Sequence, residues 1–136
     1  MTKTENYNLN QWDPTDRVLR EDFNADNAKI DVALSGMPRI ATGSYKGNGK
    51  LNTTEEIQAL DCGFPPQVVI ILRSGGNTSF SGLFVRPCTQ GLSRFDNNAV
   101  VKVIWKDTGV GWCSTSSYVD EALNTSGVTY YWWAIG

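Results

Sequence analysis

The chain has 136 residues, of which 40% are hydrophobic and 19% charged, and its 12 basic and 14 acidic side chains give a formal net charge of −2. This length suits one domain with an appended segment, and a slightly acidic chain without a clustered basic surface disfavours nucleic acid as a partner. The sequence contains no histidine, which excludes Ser-His-Asp and Cys-His catalysis and histidine metal ligands.

Targeting and cofactor signals are also missing from the sequence. No apolar run is long enough to span a membrane, and the polar start MTKTENYNLNQW lacks the apolar core of a secretory signal, so we expect synthesis in the cytoplasm. Cys62, Cys88 and Cys113 are scattered without zinc-ligand spacing, which predicts reduced, mostly buried thiols and no metal site. Neither a phosphate loop nor a dinucleotide fingerprint occurs, so we expect no cofactor.

The N-terminal segment, residues 1–38, is predicted to contain an extended polar arm and one helix. Asp13 is expected to cap that helix, with Pro14 at its first position, where the missing N–H costs nothing. Ser35–Gly36 followed by Pro38 is a good stop signal, so the predicted helix runs from about residue 14 to residue 35.

The predicted helix carries a narrow apolar stripe that cannot build a core alone. Leu19, Phe23 and Ile30 follow a heptad-like spacing, and Asp26 interrupts it. The stripe packs either on the following domain or on copies of itself. We expect self-association as a homotrimer through Leu19, Phe23 and Ile30, since a polar core residue can set register and oligomer state.

Residues 39–136 change character, with short β-like runs separated by Gly, Asn and Ser turns. This pattern predicts a mainly β chain whose C-terminal part is an antiparallel β-sandwich. The run VVIIL at residues 68–72 indicates a strand buried on both faces. The predicted strands are, in chain order, 39–46, 55–60, 67–73, 78–86, 99–106, 114–123 and 128–135.

A binding surface for carbohydrate would use ring faces for sugar C–H groups and polar side chains for hydroxyls. The loop from Trp105 to Trp112 has a ring at each end and Asp107 between them, and Asp96–Asn97 lie in another polar loop. These five residues are the candidate ligand-binding residues. The alternatives are that both tryptophans belong to the core and that the polar residues only shape turns. If strands 99–106 and 112–119 pair, the two loops lie at opposite ends of strand 99–106.

The closing strand, VTYYWWAI, sends large rings to both faces of a sheet. One face, either Tyr130 with Trp132 or Tyr131 with Trp133, is expected to line the core. The other is expected to meet a neighbouring subunit or the helix, because interfaces favour Tyr, Trp and Phe. We take Tyr131 and Trp133 as the interface pair.

Three blocks of the sequence resemble, in order, segments of small tail-associated proteins of phages and prophages of Gram-positive bacteria. They are TENYNLNQWDPTDRVLREDFNADNAKIDVAL, ATGSYKGNGKLN with IQALDCGFPPQVVIILRSGG, and SGVTYYWWAIG. The resemblance covers most of the chain and is weak between about 78 and 123. It implies a virion protein with an N-terminal attachment and trimerising segment and a lectin-like β head, and it carries over no binding residue. The paired tryptophans depart from the usual alternation of the ending.

Two functions are expected. The first is a non-enzymatic phage tail or fibre protein that binds a host-surface glycan or cell-wall polymer through the β head and other virion proteins through residues 1–38. The second is a purely structural virion component, such as a head fibre, decoration or collar protein, with no ligand. A polymer-degrading enzyme would need a carboxylate pair, for which Asp96, Asp107 and Asp120 are the candidates, but no spacing favours one.

Overall fold

A computed structural model describes all of the chain, Met1–Gly136. The chain divides into two compact units, Met1–Pro38 and Arg39–Gly136. The first unit holds the only helix, which is neither long enough nor apolar enough to cross a membrane. The second unit is built from β-strands, so the chain is mainly β, as predicted.

The first unit consists of a small hairpin and a helix: β1 (Thr2–Lys3), β2 (Asn10–Gln11) and α1 (Arg20–Ser35). Asp26 holds the hairpin on the helix, because its carboxylate accepts a hydrogen bond from the Asn10 N–H at 2.7 Å and pairs with Lys29 at 3.3 Å. Burial opposes ionisation of Asp26, but the Asn10 N–H and Lys29 outweigh it and lower the pKa of this carboxyl. Asp26, which interrupts the apolar stripe, therefore makes its contacts within the first unit.

Helix α1 begins later than the sequence predicted. Asp13 and Asp16 close a separate turn, in which the Asp13 N–H donates to the Asp16 carboxylate at 2.8 Å and the Asp16 N–H donates to the Asp13 carbonyl at 2.9 Å. The helix itself follows Leu19, whose side chain makes no capping hydrogen bond. The predicted start at Pro14 is wrong because the capping groups are used in a turn that ends before the helix.

The second unit is one antiparallel sheet of eight strands, hydrogen-bonded in the order β3-β10-β5-β6-β7-β8-β9-β4. The strands are β3 (Ile40–Lys46), β4 (Gln58–Asp61), β5 (Val68–Arg73), β6 (Gly82–Val85), β7 (Gln90–Arg94), β8 (Ala99–Trp105), β9 (Gly109–Cys113) and β10 (Thr129–Ile135). The predicted strand at 114–123 is absent, and two strands, β7 and β9, were missed.

The missed strands contain glycines, and the stretch with Gly111 was predicted to be a loop. A Cβ on Gly91 in β7 would lie 2.1 Å from Cδ1 of Phe84, and one on Gly111 in β9 would lie 1.8 Å from Oε2 of Glu56. These glycines let neighbouring side chains cross the strand closely, so they belong to strand interiors, not to turns.

The sheet curls so that its two halves face each other across the core. Trp112 on β9 packs edge-on against Tyr45 of β3, with ring centroids 5.6 Å apart, and against Phe84 of β6 at 5.4 Å. The halves remain hydrogen-bonded to each other between β6 and β7, where Leu83 pairs with Leu92. The two layers of the predicted sandwich thus come from one continuous curled sheet.

Asn124 connects the two edges of the curled sheet from the segment before β10. Its side chain is fully buried. Its Oδ1 accepts hydrogen bonds from the Asn48 N–H at 3.1 Å, in the turn after β3, and from Nε2 of Gln58 at 2.9 Å, on β4. Its Nδ2 donates to Oδ1 of Asn48 at 2.8 Å and to the Lys50 carbonyl at 2.9 Å.

The first and last residues of the second unit, Arg39 and Gly136, lie next to each other. The Arg39 N–H donates to the Gly136 carbonyl at 2.6 Å, and the Gly136 N–H donates back to the Arg39 carbonyl at 3.0 Å. This reciprocal pair continues the β3–β10 ladder by one step beyond Ile40 and Ile135.

Strand β5 is buried on one face only, in contrast to the prediction. Val69 and Ile71 are fully buried, whereas Ile70 is 46% exposed and Leu72 is 54% exposed. The alternation follows from the pleat, because nothing in this unit covers the outer face of the sheet.

Candidate functional site

The predicted two-ring site between Trp105 and Trp112 does not form. Trp112 occupies an inward position of β9, is fully buried and donates its Nε1–H to the Ala122 carbonyl at 2.9 Å. Its assignment as a ligand-binding residue is therefore corrected to a core residue. Trp105 is partly exposed, with Nε1 donating to the Cys88 carbonyl at 2.8 Å, and Asp107 lies in the exposed turn between β8 and β9.

The other two predicted binding residues lie in the turn between β7 and β8. Asn97 accepts a hydrogen bond from the Ala99 N–H at 3.1 Å, which is a turn-forming contact, and its Nδ2 lies 3.4 Å from Oε1 of Glu121. Asp96 pairs with Arg94, and this hydrogen bond lowers the pKa of Asp96. The turn borders a pocket that the sequence did not predict.

This pocket, hereafter the Arg94 pocket, has a volume of about 290 Å³. Its lining combines two rings, one guanidinium, one amide and two carboxylates: Phe80, Arg94, Asn97, Tyr118, Asp120 and Glu121. Of the five predicted binding residues, only Asn97 lines it. The lining comes from three stretches far apart in sequence, so no local motif could have signalled it.

Arg94 organises one side of the pocket. Its guanidinium lies 4.7 Å from the centre of the Phe80 ring and contacts both Asp96 and, at 3.3 Å, Glu121. The pKa of the Glu121 carboxyl is lowered by a hydrogen bond from Ser116 and by Asn97 and Arg94. Glu121 is therefore an ionised acceptor at neutral pH.

Asp120 lies on the other side of the pocket and is held by two donors. It accepts hydrogen bonds from the Thr125 hydroxyl and from Arg73, whose Nη1 lies 2.8 Å from Oδ1. These contacts, the Thr125 bond first, lower the pKa of Asp120. The Tyr118 ring, 69% exposed, stands beside these fixed charges. The pocket thus offers oriented acceptors, one guanidinium and an open ring face.

Two larger grooves are chemically poorer. One of about 590 Å³ lies in the first unit between the arm and α1, but its one charged side chain, Lys29, is occupied by the Asn8 carbonyl at 2.6 Å and by Asp26. The other, of about 500 Å³, is lined by Leu51–Thr53 and Ser114–Ser117 and has neither a charge nor a ring. No three Cys, Asp or Glu side chains are grouped to hold a metal ion, and the three cysteines are free, with Cys62 and Cys113 buried and Cys88 exposed.

A second surface is apolar and covers the outer side of β10, β5 and β6. It is hereafter the outer apolar face and comprises Tyr131, Trp133, Ile70, Leu72, Leu83 and Val85, which are 36% to 56% exposed. In the sheet register Trp133 lies beside Ile70 and Ile70 beside Leu83, while Tyr131 lies beside Leu72. The face contains the predicted interface pair, Tyr131 and Trp133, and Tyr130 and Trp132 point into the core instead.

Helix α1 also leaves its apolar residues uncovered. None of its residues is buried; Phe23 is 57% exposed and Ile30 41%, and Leu19, just before the helix, is 40% exposed. The predicted stripe therefore has no partner within the first unit. Comparisons with protein-family models, with curated proteins and with solved structures find no match to this chain.

Proposed function

We propose that the chain is a non-enzymatic phage tail or fibre protein whose β unit binds a host-surface glycan or cell-wall polymer in the Arg94 pocket. The observation that carries the binding proposal is the exposed Tyr118 ring beside Arg94, Asp120 and Glu121. A ring face packs on sugar C–H groups, while carboxylates and a guanidinium bind hydroxyls. A volume of about 290 Å³ suits one small polar unit of a polymer.

The charge state of the pocket favours binding over hydrolysis. A glycosidase needs one carboxylic acid with a raised pKa to protonate the leaving group. Here hydrogen bonds lower the pKa of both Asp120 and Glu121. Both groups are then acceptors for hydroxyl groups and not proton donors.

The virion assignment is supported by the order of the three sequence blocks that resemble tail-associated phage proteins. In this proposal residues 1–38 attach the protein to other virion proteins and bring copies together through Leu19, Phe23 and Ile30, which are uncovered in the unit. The curled sheet serves as a lectin-like, sandwich-shaped head of a homotrimer. The ring contacts of Trp112 with Tyr45 and Phe84, between facing halves of the sheet, support the sandwich-like shape alone.

The binding proposal is tested with fluorescently labelled full chain on Gram-positive cells and on their purified wall polymers. We expect saturable binding that is lost when wall polysaccharide is stripped. Tyr118→Ala should weaken it about fivefold, since a ring contact contributes roughly 1 kcal/mol and each 1.4 kcal/mol is tenfold. Glu121→Gln should weaken it similarly.

Phe95→Ala is the matched control, because Phe95 is a 50% exposed ring next to Asp96 that does not line the pocket. It should bind like the unaltered protein. Equal binding by Tyr118→Ala, Glu121→Gln and Phe95→Ala would remove the pocket from the proposal.

A second candidate function is a structural virion component without a ligand, such as a head fibre, decoration or collar protein. The outer apolar face favours it, because a large uncharged surface suits protein assembly better than sugar binding. Under this alternative no host cell or wall polymer binds the protein saturably, although the protein is incorporated into particles.

A further inference from the structure

The outer apolar face is unusual for the exposed side of an antiparallel sheet. Such sheets normally alternate apolar inward residues with polar outward ones. On β10, β5 and β6 the outward positions are apolar too, except Thr129 at the start of β10, and Arg73 is the only charged residue in the three strands. Its guanidinium is engaged with Asp120, beside the Arg94 pocket. The face therefore has no charge of its own.

The size of the face is that of an interaction site. Tyr131 and Trp133 are each more than half exposed, so each ring offers on the order of 100 Å². With the four aliphatic side chains beside them, the face reaches roughly 600 Å², at the upper end for the largest patch of a monomer. A stable interface buries about 800 Å² from each partner, so this face supplies most of one.

The chemistry of the face selects its partner. A nucleic acid or a charged peptide would find no charged group on it, and a polysaccharide would find only the Tyr131 hydroxyl and the Trp133 indole N–H among aliphatic side chains. A face without charge can meet its own copy without like-charge repulsion, and interfaces between identical subunits are apolar and rich in aromatic residues.

We propose that a second copy of this chain covers the outer apolar face, with Trp133 and Ile70, which are neighbours in the sheet register, at the centre of the contact. This inference rests neither on glycan binding nor on a place in a virion.

The test is the mass of the full chain by sedimentation and light scattering over a concentration series. We expect an oligomer that Ile70→Lys or Trp133→Lys converts to monomer, with association weakened at least a hundredfold, because either change places a charge in the contact. Phe95→Lys is the matched control: Phe95 is as exposed as these residues, lies outside the face and should leave the mass unchanged. Ile30→Lys tests the helix separately.

Three results would overturn the proposal: a monomer at every concentration, an oligomer unaffected by both face variants, or dissociation by Ile30→Lys alone. A measurement on the unaltered protein keeps the proposal testable even if the lysine variants misfold. Radical footprinting of the unaltered protein should modify Tyr131 and Trp133 less than Tyr118 and Phe95, and equal modification of the four rings would contradict it. Protection of the two rings in a monomer would mean that another part of the same chain covers the face.

Discussion

At the scale of single residues, Asn124 joins the two edges of the curled sheet. Every polar atom of its side chain is used, on Asn48, Lys50 and Gln58. No sequence pattern marks it, because an asparagine before a Thr-Ser-Gly turn looks like any loop residue. Its burial depends on the distant segments around residues 48 and 58, which pack on it only in the folded unit.

Asn124→Ala should destabilise the protein by about 3 kcal/mol, since it strands several buried polar groups that cost about 1–3 kcal/mol each. Urea unfolding monitored by fluorescence gives the free energy. Asn24→Ala, on the exposed surface of α1, is the control and should change it by less than about 0.5 kcal/mol. A similarly small effect at Asn124 would mean that water replaces its contacts.

Asp120 makes stability depend on pH in the acid range. Its pKa is lowered in the folded state, so its contribution is complete above the unfolded value of about 4 and is lost as the pH falls through the folded value. Asp120→Asn should lower the free energy of unfolding at pH 7 by at most about 1 kcal/mol, because solvent screens the partly exposed carboxylate. It should also make the loss of stability below about pH 4 less steep.

The measurement for Asp120 is the thermal midpoint between pH 2 and pH 7. Asp107→Asn, in the exposed β8–β9 turn, serves as the control and should keep the acid slope of the unaltered protein. An Asp120→Asn curve parallel to that of the unaltered protein would show that the contacts with Thr125 and Arg73 contribute no stability.

At the scale of elements, glycines in strands account for most of the difference between prediction and structure. The sequence correctly predicted the closing strand and its division into an inner and an outer ring pair, because period-2 alternation is a local property. It missed β7 and β9, whose glycines make room for Phe84 of β6 and for Glu56 of the segment before β4. It also predicted that β5 is buried on both faces. Apolar residues on the outer face indicate an apolar partner, but they do not show whether that partner belongs to the same chain or to another one.

The candidate site shows the same limit. Asn97 was found because it sits in a polar turn, and Trp112 was misassigned because glycines around it suggested a loop edge where the structure has a buried strand. Tyr118 and Glu121 carry no local sequence signal of a binding site, since they line one pocket with Arg94 only in the folded unit.

Gly43 shows how β10 accommodates its rings. It lies opposite Trp132 in the β3–β10 register, and a Cβ there would be 2.6 Å from the indole. Gly43→Ala should therefore destabilise the protein by about 2 kcal/mol, a typical cost of overpacking, and perturb the near-ultraviolet tryptophan bands. Chemical unfolding and circular dichroism measure the two effects.

Ser44→Ala is the matched control for Gly43, because Ser44 is the next residue of β3 and points to the exposed side. It should leave both signals nearly unchanged. Equal stability of the two variants would mean that the Trp132 ring moves aside at little cost.

At the scale of the whole molecule, the sheet and its core come entirely from residues 39–136. We predict that a protein consisting of residues 39–136 alone folds and unfolds cooperatively. Its thermal midpoint should lie within a few degrees of that of the β unit in the full chain. Calorimetry provides the measurement. A segment of residues 47–136 lacks β3 and the Tyr45 ring that packs on Trp112 and Tyr130, so it should not fold. Loss of cooperative unfolding in 39–136 would show that the β unit depends on the first 38 residues.

The reciprocal hydrogen bonds between Arg39 and Gly136 have a consequence for how such a unit can be exchanged between proteins. Because residues 39 and 136 are hydrogen-bonded to each other, the unit presents both of its ends at one spot. It can therefore be inserted within a surface loop of an unrelated chain, because its two junctions need no more space than the two ends of that loop already have.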